Sequence, residues 1–373
     1  MKIGIDARAA DWYRGTGIGT YTYQLINSII NVDSKNQYTL FLSSSEATLK
    51  NIKSNVQFKI LPNSQGTSFW DEVKLPVVFG KENIQLYHIP QNGVGMPKHK
   101  TCPNVITLHD IIPIKMPETV SDRYLKIFHE ELPKSLQLCD GIITVSNYSK
   151  KDIAEAFNFP LDKIYVTYLA SEDIYSPINR AESKKYIQSK YKISSDIILY
   201  VGGFSPRKNI IGLIEAFSLL PSKLIEKNTL VIAGKKGQSY ELYKARVEKL
   251  HLESHVFFPG FVTMEDMPHL YRAAELLVYP SFYEGFGLPP IEAMASGTPV
   301  IAATSTSIPE ICGDACLLVN PYEVMEINEA MLAVLEDATL KNNLVVKGLK
   351  KAESFRWADT ATATIKAYES IIK

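Results

Sequence analysis

The segment Ser281-Phe282-Tyr283-Glu284-Gly285-Phe286-Gly287-Leu288-Pro289-Pro290-Ile291-Glu292 offers more chemistry than any other stretch of the chain. It carries a carboxylate, then a Gly-x-Gly loop, then a second carboxylate one turn into a predicted helix with proline near its start. Amides around Gly285, Phe286, Gly287 and Leu288 can meet a phosphate or a sugar hydroxyl, while Glu284 and Glu292 accept from hydroxyl groups. Two carboxylates also suit a glycosidase, which uses one as acid and the other as nucleophile or base. Upstream, Gly202-Gly203-Phe204-Ser205-Pro206-Arg207-Lys208-Asn209 puts two adjacent cations at a predicted helix start, where they oppose the macrodipole. A bound anion would relieve that cost, and a pyrophosphate suits, with Arg207 offering a fork and Lys208 a point charge. A hydrolase has no use for such a pair; a solvated basic turn is the plainer alternative.

Two further places ask for a ligand. The apolar run Val105–Leu108 ends in His109-Asp110, where an imidazole can donate to a ligand oxygen near neutral pH and the carboxylate can bias its tautomer. His88 closes an earlier strand in a similar way. Near the N-terminus, Arg14-Gly15-Thr16-Gly17-Ile18-Gly19 opens a helical pattern at about Gly19–Asn31, so Gly15, Gly17 and Gly19 let backbone amides approach a phosphate. It is not a P-loop, because no Lys-Ser/Thr pair follows, and the next strand lacks the acidic end of a dinucleotide fingerprint. Cys312 and Cys316 form a lone C-x3-C, which reads as two small apolar side chains around a turn, and no metal site is expected.

Such residues work only where a scaffold presents them. Short β-branched runs alternate with helical patterns throughout, the mark of an α/β chain with parallel sheets. Strands are predicted near Ile3–Asp6, Tyr38–Leu42, Gln57–Leu61, Leu86–Ile89, Val105–Leu108 and Gly141–Val145, then near Ile197–Gly202, Thr229–Ala233, His255–Phe258, Leu276–Tyr279 and Pro299–Ala302. Helices are expected over Ser121–Gln137, Tyr240–Lys249 and Leu288–Ala295, and three helical patterns close the chain. The domains expected are residues 1–172, residues 173–355, and a C-terminal helix at 356–373 that packs back on the first domain. Ligands in such sheets lie beyond the carboxyl ends of the strands, so two doubly wound domains are expected to face a common cleft.

Composition narrows the class. The chain has 373 residues, 46% hydrophobic and 21% charged, which suits a globular enzyme of about two domains and excludes collagen, disorder and disulfide scaffolds. Forty Lys and Arg balance 40 Asp and Glu, so bulk charge gives no argument for nucleic acid. Four scattered cysteines suit a reduced, cytoplasmic setting, and no leader or long apolar run is seen.

The Glu284 and Glu292 spacing, the Gly-Phe-Gly-Leu-Pro loop and Ala-Ser-Gly-Thr-Pro-Val-Ile resemble the signature of retaining GT-B glycosyltransferases of family 4. The Ile-Asp-Ala-Arg start with its Gly-Ile-Gly loop, His109-Asp110, Val145-Ser146, Val201–Asn209 and Pro259-Gly260-Phe261-Val262 extend the resemblance over nearly the whole chain. It implies a nucleotide-diphosphate sugar held mainly by the C-terminal domain and a glycan or lipid-linked acceptor held mainly by the N-terminal one. By position, Lys208 binds the diphosphate, Glu284 the sugar hydroxyls, Glu292 the ribose and His109 the transferred sugar, while the Gly15–Gly19 loop approaches the diphosphate. Transfer with retention and without metal or cofactor is implied. Many members carry Arg where this chain has Gly203, and Arg207 is the substitute. The Pro206–Asn209 variant looks most like bacterial mannosyltransferases, which makes GDP-mannose the first donor expected, with UDP-hexoses as rivals. A 2-epimerase, a phosphorylase and a non-catalytic sugar-nucleotide-binding subunit are the other readings. Lys98, His99, Lys100, Phe69 and Trp70 suggest a membrane-facing patch, or simply a solvated basic loop.

Overall fold

The computed structural model describes residues 1–12, 16–43, 53–61, 79, 82–237 and 239–373. The chain divides into two compact units, Met1–Leu169 together with Arg356–Lys373, and Ala170–Phe355. The sequence reading set the first break at 172/173.

The first unit is built on a parallel sheet of seven strands: β1 (Lys2–Asp6), β2 (Gln37–Leu42), β3 (Val56–Ile60), β4 (Leu86–Ile89), β5 (Asn104–Thr107), β6 (Gly141–Thr144) and β7 (Ile164–Val166). Their order is β3-β2-β1-β4-β5-β6-β7. All four residues of β4, of β5 and of β6 are buried, as expected of parallel strands covered by helices on both faces. Against the sheet, Phe41, Tyr87, Ile106, Phe128 and Ile142 form part of one apolar core. The last helix, Trp357–Ile372, belongs to this unit and buries Trp357, Thr364, Ala367 and Tyr368.

The second unit repeats the plan with six parallel strands: β8 (Asp196–Val201), β9 (Asn228–Ala233), β10 (Val256–Gly260), β11 (Leu276–Tyr279), β12 (Val300–Ala303) and β13 (Leu317–Val319), ordered β10-β9-β8-β11-β12-β13. In both sheets the chain winds outward one way and then returns to wind the other. The strand order therefore reverses between β1 and β4 and again between β8 and β11. The helices flanking those pairs leave on opposite faces, which opens a crevice at the carboxyl ends of each pair.

Three sequence expectations are corrected. The Ser121–Gln137 helix starts at Asp122 and is broken by a π-helical stretch at Ile127–Glu131, because Pro133 lacks the amide a regular turn needs. The seventh and sixth strands, β7 and β13, were not expected; each has only three residues, too few for a period to register. The helix after the glycine loop starts at Gly17, two residues before the expected Gly19. Among the described residues, no helix is long and apolar enough to cross a membrane.

One glycine fixes the loop geometry above β8 and β9. A Cβ at Gly234 would stand 1.8 Å from the Gly202 carbonyl oxygen, so the two loops approach backbone to backbone. Gly234→Ala must push the Gly202 turn aside, and we expect a loss of about 1–3 kcal/mol in unfolding free energy, read as a lower denaturant midpoint. An unchanged midpoint would mean that the turn yields freely.

Candidate active site

The loops after β8 and β11 meet at the reversal of the second sheet, and the expected cations and first carboxylate lie on them. Pro206–Lys208 forms a 3-10 turn, after which Asn209 takes a left-handed conformation (φ 54) and caps the helix Ile210–Ser218, accepting from the Gly212 amide at 3.2 Å. Arg207 and Lys208 thus precede the helix instead of lying in its first turn. Lys208 is 6% exposed and donates to Glu284 Oε1 at 2.5 Å and to the Tyr279 hydroxyl at 2.8 Å. Arg207 Nη1 lies 3.1 Å from Glu284 Oε2 and donates to the Tyr283 carbonyl at 2.9 Å. Burial would raise the pKa of Glu284, but Lys208 and Arg207 hold it down to about 2. Both cations are therefore paired within the chain, with Glu284 as the anion between them.

The loop carrying Glu284 is clamped along its backbone. The Phe282 amide donates to the Arg207 carbonyl at 2.8 Å and the Glu284 amide to Thr306 Oγ1 at 3.0 Å. Ser307 Oγ donates to the carbonyls of Glu284 (2.9 Å) and Phe286 (3.1 Å). Gly287 (φ 105) then turns into the helix Leu288–Ala295; its bare Cα is required, since a Cβ would sit 2.6 Å from Ile308 Cδ1. Pro289 and Pro290 bring no amide to that helix start, so Leu288 and Ile291 carry its opening N–H groups.

Glu292, one turn into this helix, is a carboxyl of another kind. Its Oε2 accepts from the Tyr271 hydroxyl at 2.7 Å, and Tyr175 packs edge-on against Tyr271 at 5.5 Å. Burial pushes its pKa up to about 7, and nearby Glu172 adds to the rise. Sequence reasoning missed Tyr271, Tyr279, Thr306 and Ser307, which carry no local motif. Gly203 lies in the turn after β8, where a Cβ would meet nothing within 4 Å.

In the first unit, His109 follows β5. Its amide donates to Asn92 Oδ1 at 3.0 Å, and its Nε2 lies 3.2 Å from the Pro90 carbonyl oxygen. A carbonyl can only accept, so Nε2 carries the hydrogen and Nδ1 is left as an acceptor. Burial lowers the ring's pKa to about 4, so it is neutral at physiological pH. Pro90 therefore holds the tautomer, while Asp110 Oδ1 accepts from the Ile112 amide at 3.1 Å. Gly17 and Gly19 lie in the first turn of the helix Gly17–Val32, capped by Thr16 Oγ1, which accepts from the Gly19 amide at 3.4 Å; Gly15 lies outside the described residues. At the reversal of this sheet, the buried pair Asp6–Arg8 (2.6 Å) is joined by Gln91, whose amide donates to Asp6 Oδ2 at 2.6 Å. Of the basic patch, Lys98, His99 and Lys100 are exposed, with Lys100 paired to Asp140 at 2.6 Å, while Phe69 and Trp70 lie outside the described residues.

The raised pKa of Glu292 has a measurable sign. With a folded pKa of about 7 against an ordinary 4.5, the native state holds more protons than the unfolded state across that window. Stability should fall as pH rises through it, by up to about 3 kcal/mol. Glu292→Gln removes the titration, so the variant should gain on the wild type between pH 4.5 and 7.5 in urea unfolding; a constant difference would return Glu292 to the ordinary range.

Known proteins show the same organisation. Residues 183–351 match the family model described as Glycosyl transferases group 1, and residues 15–170 match that of Glycosyltransferase Family 4. The chain is similar to O-antigen chain mannosyltransferase B of Escherichia coli, 38% identical over 285 residues that cover 76% of this chain and 74% of that one. It is similar also to O-antigen chain mannosyltransferase RfbU of Salmonella typhimurium, 31% identical over 283 residues, 75% of this chain and 73% of that one. Sucrose-phosphate synthase from Thermosynechococcus elongatus shares the fold with a TM-score of 0.77 at 20% identity, over 99% of this chain and 98% of that one. Two Rossmann-like units of the GT-B type, the Glu284 and Glu292 signature and matches running from residue 15 to 351 place the chain in glycosyltransferase family 4, and it is a glycosyltransferase.

Proposed function

We propose that the chain transfers mannose from GDP-mannose to a glycan or lipid-linked acceptor in the assembly of a surface polysaccharide, with retention at the anomeric carbon. The observation that carries this reading is the Arg207–Lys208–Glu284 cluster at the reversal of the second sheet. The mannose comes from the similarity to the O-antigen mannosyltransferases.

In this reading the donor diphosphate replaces Glu284 as the partner of Lys208 and Arg207. Glu284, released from one or both cations, accepts from sugar hydroxyls, Glu292 accepts from the ribose, and the Nδ1 of His109 accepts from a hydroxyl of the transferred sugar. The bond from the anomeric carbon to the diphosphate oxygen breaks. A bond from the acceptor oxygen forms on the same face, and the acceptor proton passes to the departing phosphate. Lys208 and Arg207 neutralise the charge that grows on that phosphate, which is where fixed cations lower a barrier most and where a divalent metal would otherwise serve. The acceptor is met at the cytoplasmic face of the membrane.

Thermal unfolding with GDP, GDP-mannose, UDP and UDP-glucose, with and without EDTA, tests the donor. A ligand at a hundred times its Kd should stabilise by about 2.7 kcal/mol, and we expect GDP-mannose to do so with EDTA present. Lys208→Gln, which keeps a donor for Glu284, should weaken that binding by about 1.5–3 kcal/mol. A GDP-mannose shift that disappears in EDTA, no shift with any nucleotide, or full affinity in the variant, would each sink this assignment.

A further inference from the structure

The last helix delivers Tyr368 into the interior of the first unit, far in sequence from anything near His109. The Tyr368 hydroxyl lies 2.7 Å from His88 Nδ1, and His88 Nε2 lies 2.8 Å from Thr107 Oγ1. Thr107 Oγ1 in turn lies 2.9 Å from the Tyr21 hydroxyl. These four side chains come from the last helix, from β4, from β5 and from the helix Gly17–Val32, and all are 0% exposed. The chain ends against His109: the Tyr21 ring stands at 89° to the imidazole with centroids 4.6 Å apart, and Trp357 flanks Tyr21 at 6.3 Å.

Burial keeps His88 neutral, lowering its pKa to about 3, and the neighbouring His109 adds to the effect. A neutral imidazole has one N–H and one lone pair, so it donates at one nitrogen and accepts at the other, while the three hydroxyls can do either. Both imidazole nitrogens are engaged in either tautomer, so the His88 ring cannot turn without breaking a bond. Apolar side chains of equal volume would fill this space at less desolvation cost. What a continuous hydrogen-bonded chain adds is directional control of where its members sit. The far end of the chain is the Tyr21 hydroxyl, 2.9 Å from Thr107 Oγ1, whose ring meets His109.

We infer that Tyr21, His88, Thr107 and Tyr368 are positioning residues for His109. The chain sets the plane of the Tyr21 ring, and that ring together with the Pro90 carbonyl sets the imidazole, so docking of the last helix and orientation of His109 are one event. The inference rests on the reading of His109 as the contact to the transferred sugar.

Tyr368→Phe deletes one oxygen from the chain and leaves its packing. His88→Gln offers an amide near the place of Nε2, toward Thr107, whereas His88→Asn offers one near the place of Nδ1, toward Tyr368. Ring-nitrogen NMR of His109, assigned by difference from His109→Gln, reports its tautomer without donor or acceptor; turnover is followed with GDP-mannose. In Tyr368→Phe the Nε2–H tautomer of His109 should lose population. Its kcat should fall by roughly tenfold, as for a misplaced contact, with donor KM changed by less than about twofold. His88→Gln should retain more turnover than His88→Asn. A folded Tyr368→Phe whose His109 signals are unchanged overturns the inference, whatever its kcat, and so does a shifted spectrum with wild-type kcat. Where His88→Asn fails to fold, Tyr368→Phe decides alone. A wild type inactive with every donor sinks the functional reading, and the His109 spectrum then still decides whether the chain sets the ring.

Discussion

The second unit is organised around a buried carboxylate held between two cations. The side chains of Lys208 and Glu284 are 8% and 9% exposed and lie 2.5 Å apart, with Arg207 on the other carboxylate oxygen. Taking each such charge out of water costs several kcal/mol, and mutual attraction offsets this only when the geometry is good and the remaining hydrogen bonds are made. The surrounding contacts follow from that demand. Tyr279 takes a second proton of Lys208, the Tyr283 carbonyl takes one from Arg207, and Thr306 and Ser307 pin the backbone on either side of Glu284. The loops after β8, β11 and β12 are thereby fastened to one another. The crevice they line exists because the winding of the sheet reverses between β8 and β11.

A site whose charges are already paired binds an anion by exchange. A diphosphate arriving at Lys208 and Arg207 gains their attraction but must displace part of what Glu284 has, so the net gain is a difference of two strong terms. The same exchange takes from Glu284 the cations that hold its pKa down and leaves a buried carboxyl beside the ligand. That carboxylate needs new donors, and sugar hydroxyls on the same donor molecule would supply them. A free nucleotide offers the phosphates without the sugar and leaves Glu284 less well satisfied. In the proposed function, one ion cluster would couple the two halves of the donor.

Much of the scaffold was legible because its strands are buried on both faces and read as unbroken apolar runs. Leu276–Tyr279 was bounded to the residue, and the helices Tyr240–Lys249 and Leu288–Ala295 likewise. What escaped was short or weakly patterned: β7 and β13, and the helix Arg180–Tyr191, which buries only Ser183 and Ile187 and so shows hardly any periodicity. The site residues were legible as types at strand ends, but their pairing was not. Lys208 and Glu284 are 76 positions apart, Tyr271 and Glu292 are 21 apart, and the carbonyl that fixes the His109 ring lies 19 residues upstream. Spacing along the chain says nothing about such partners. The expected need for an anion at Arg207 and Lys208 has an answer within the chain, Glu284, that spacing did not show.

Two glutamates whose pKa values are set apart, about 2 and about 7, would by that sign alone suggest the nucleophile and acid of a glycosidase. The partners argue otherwise. A nucleophilic carboxylate needs a lone pair open toward carbon, but both oxygens of Glu284 face cations, and attack would have to break an ion pair at the moment when charge is most needed there. A general acid must hand its proton to a leaving oxygen and recover it from water. Glu292 is enclosed by Tyr271 and Tyr175 with Glu172 near, so its raised pKa records the loss of water and the absence of a cation more than any tuning for transfer. When it ionises, its oxygens are acceptors waiting for hydroxyl donors. The partners of each carboxyl therefore suit a hydrogen-bond acceptor better than a nucleophile or an acid.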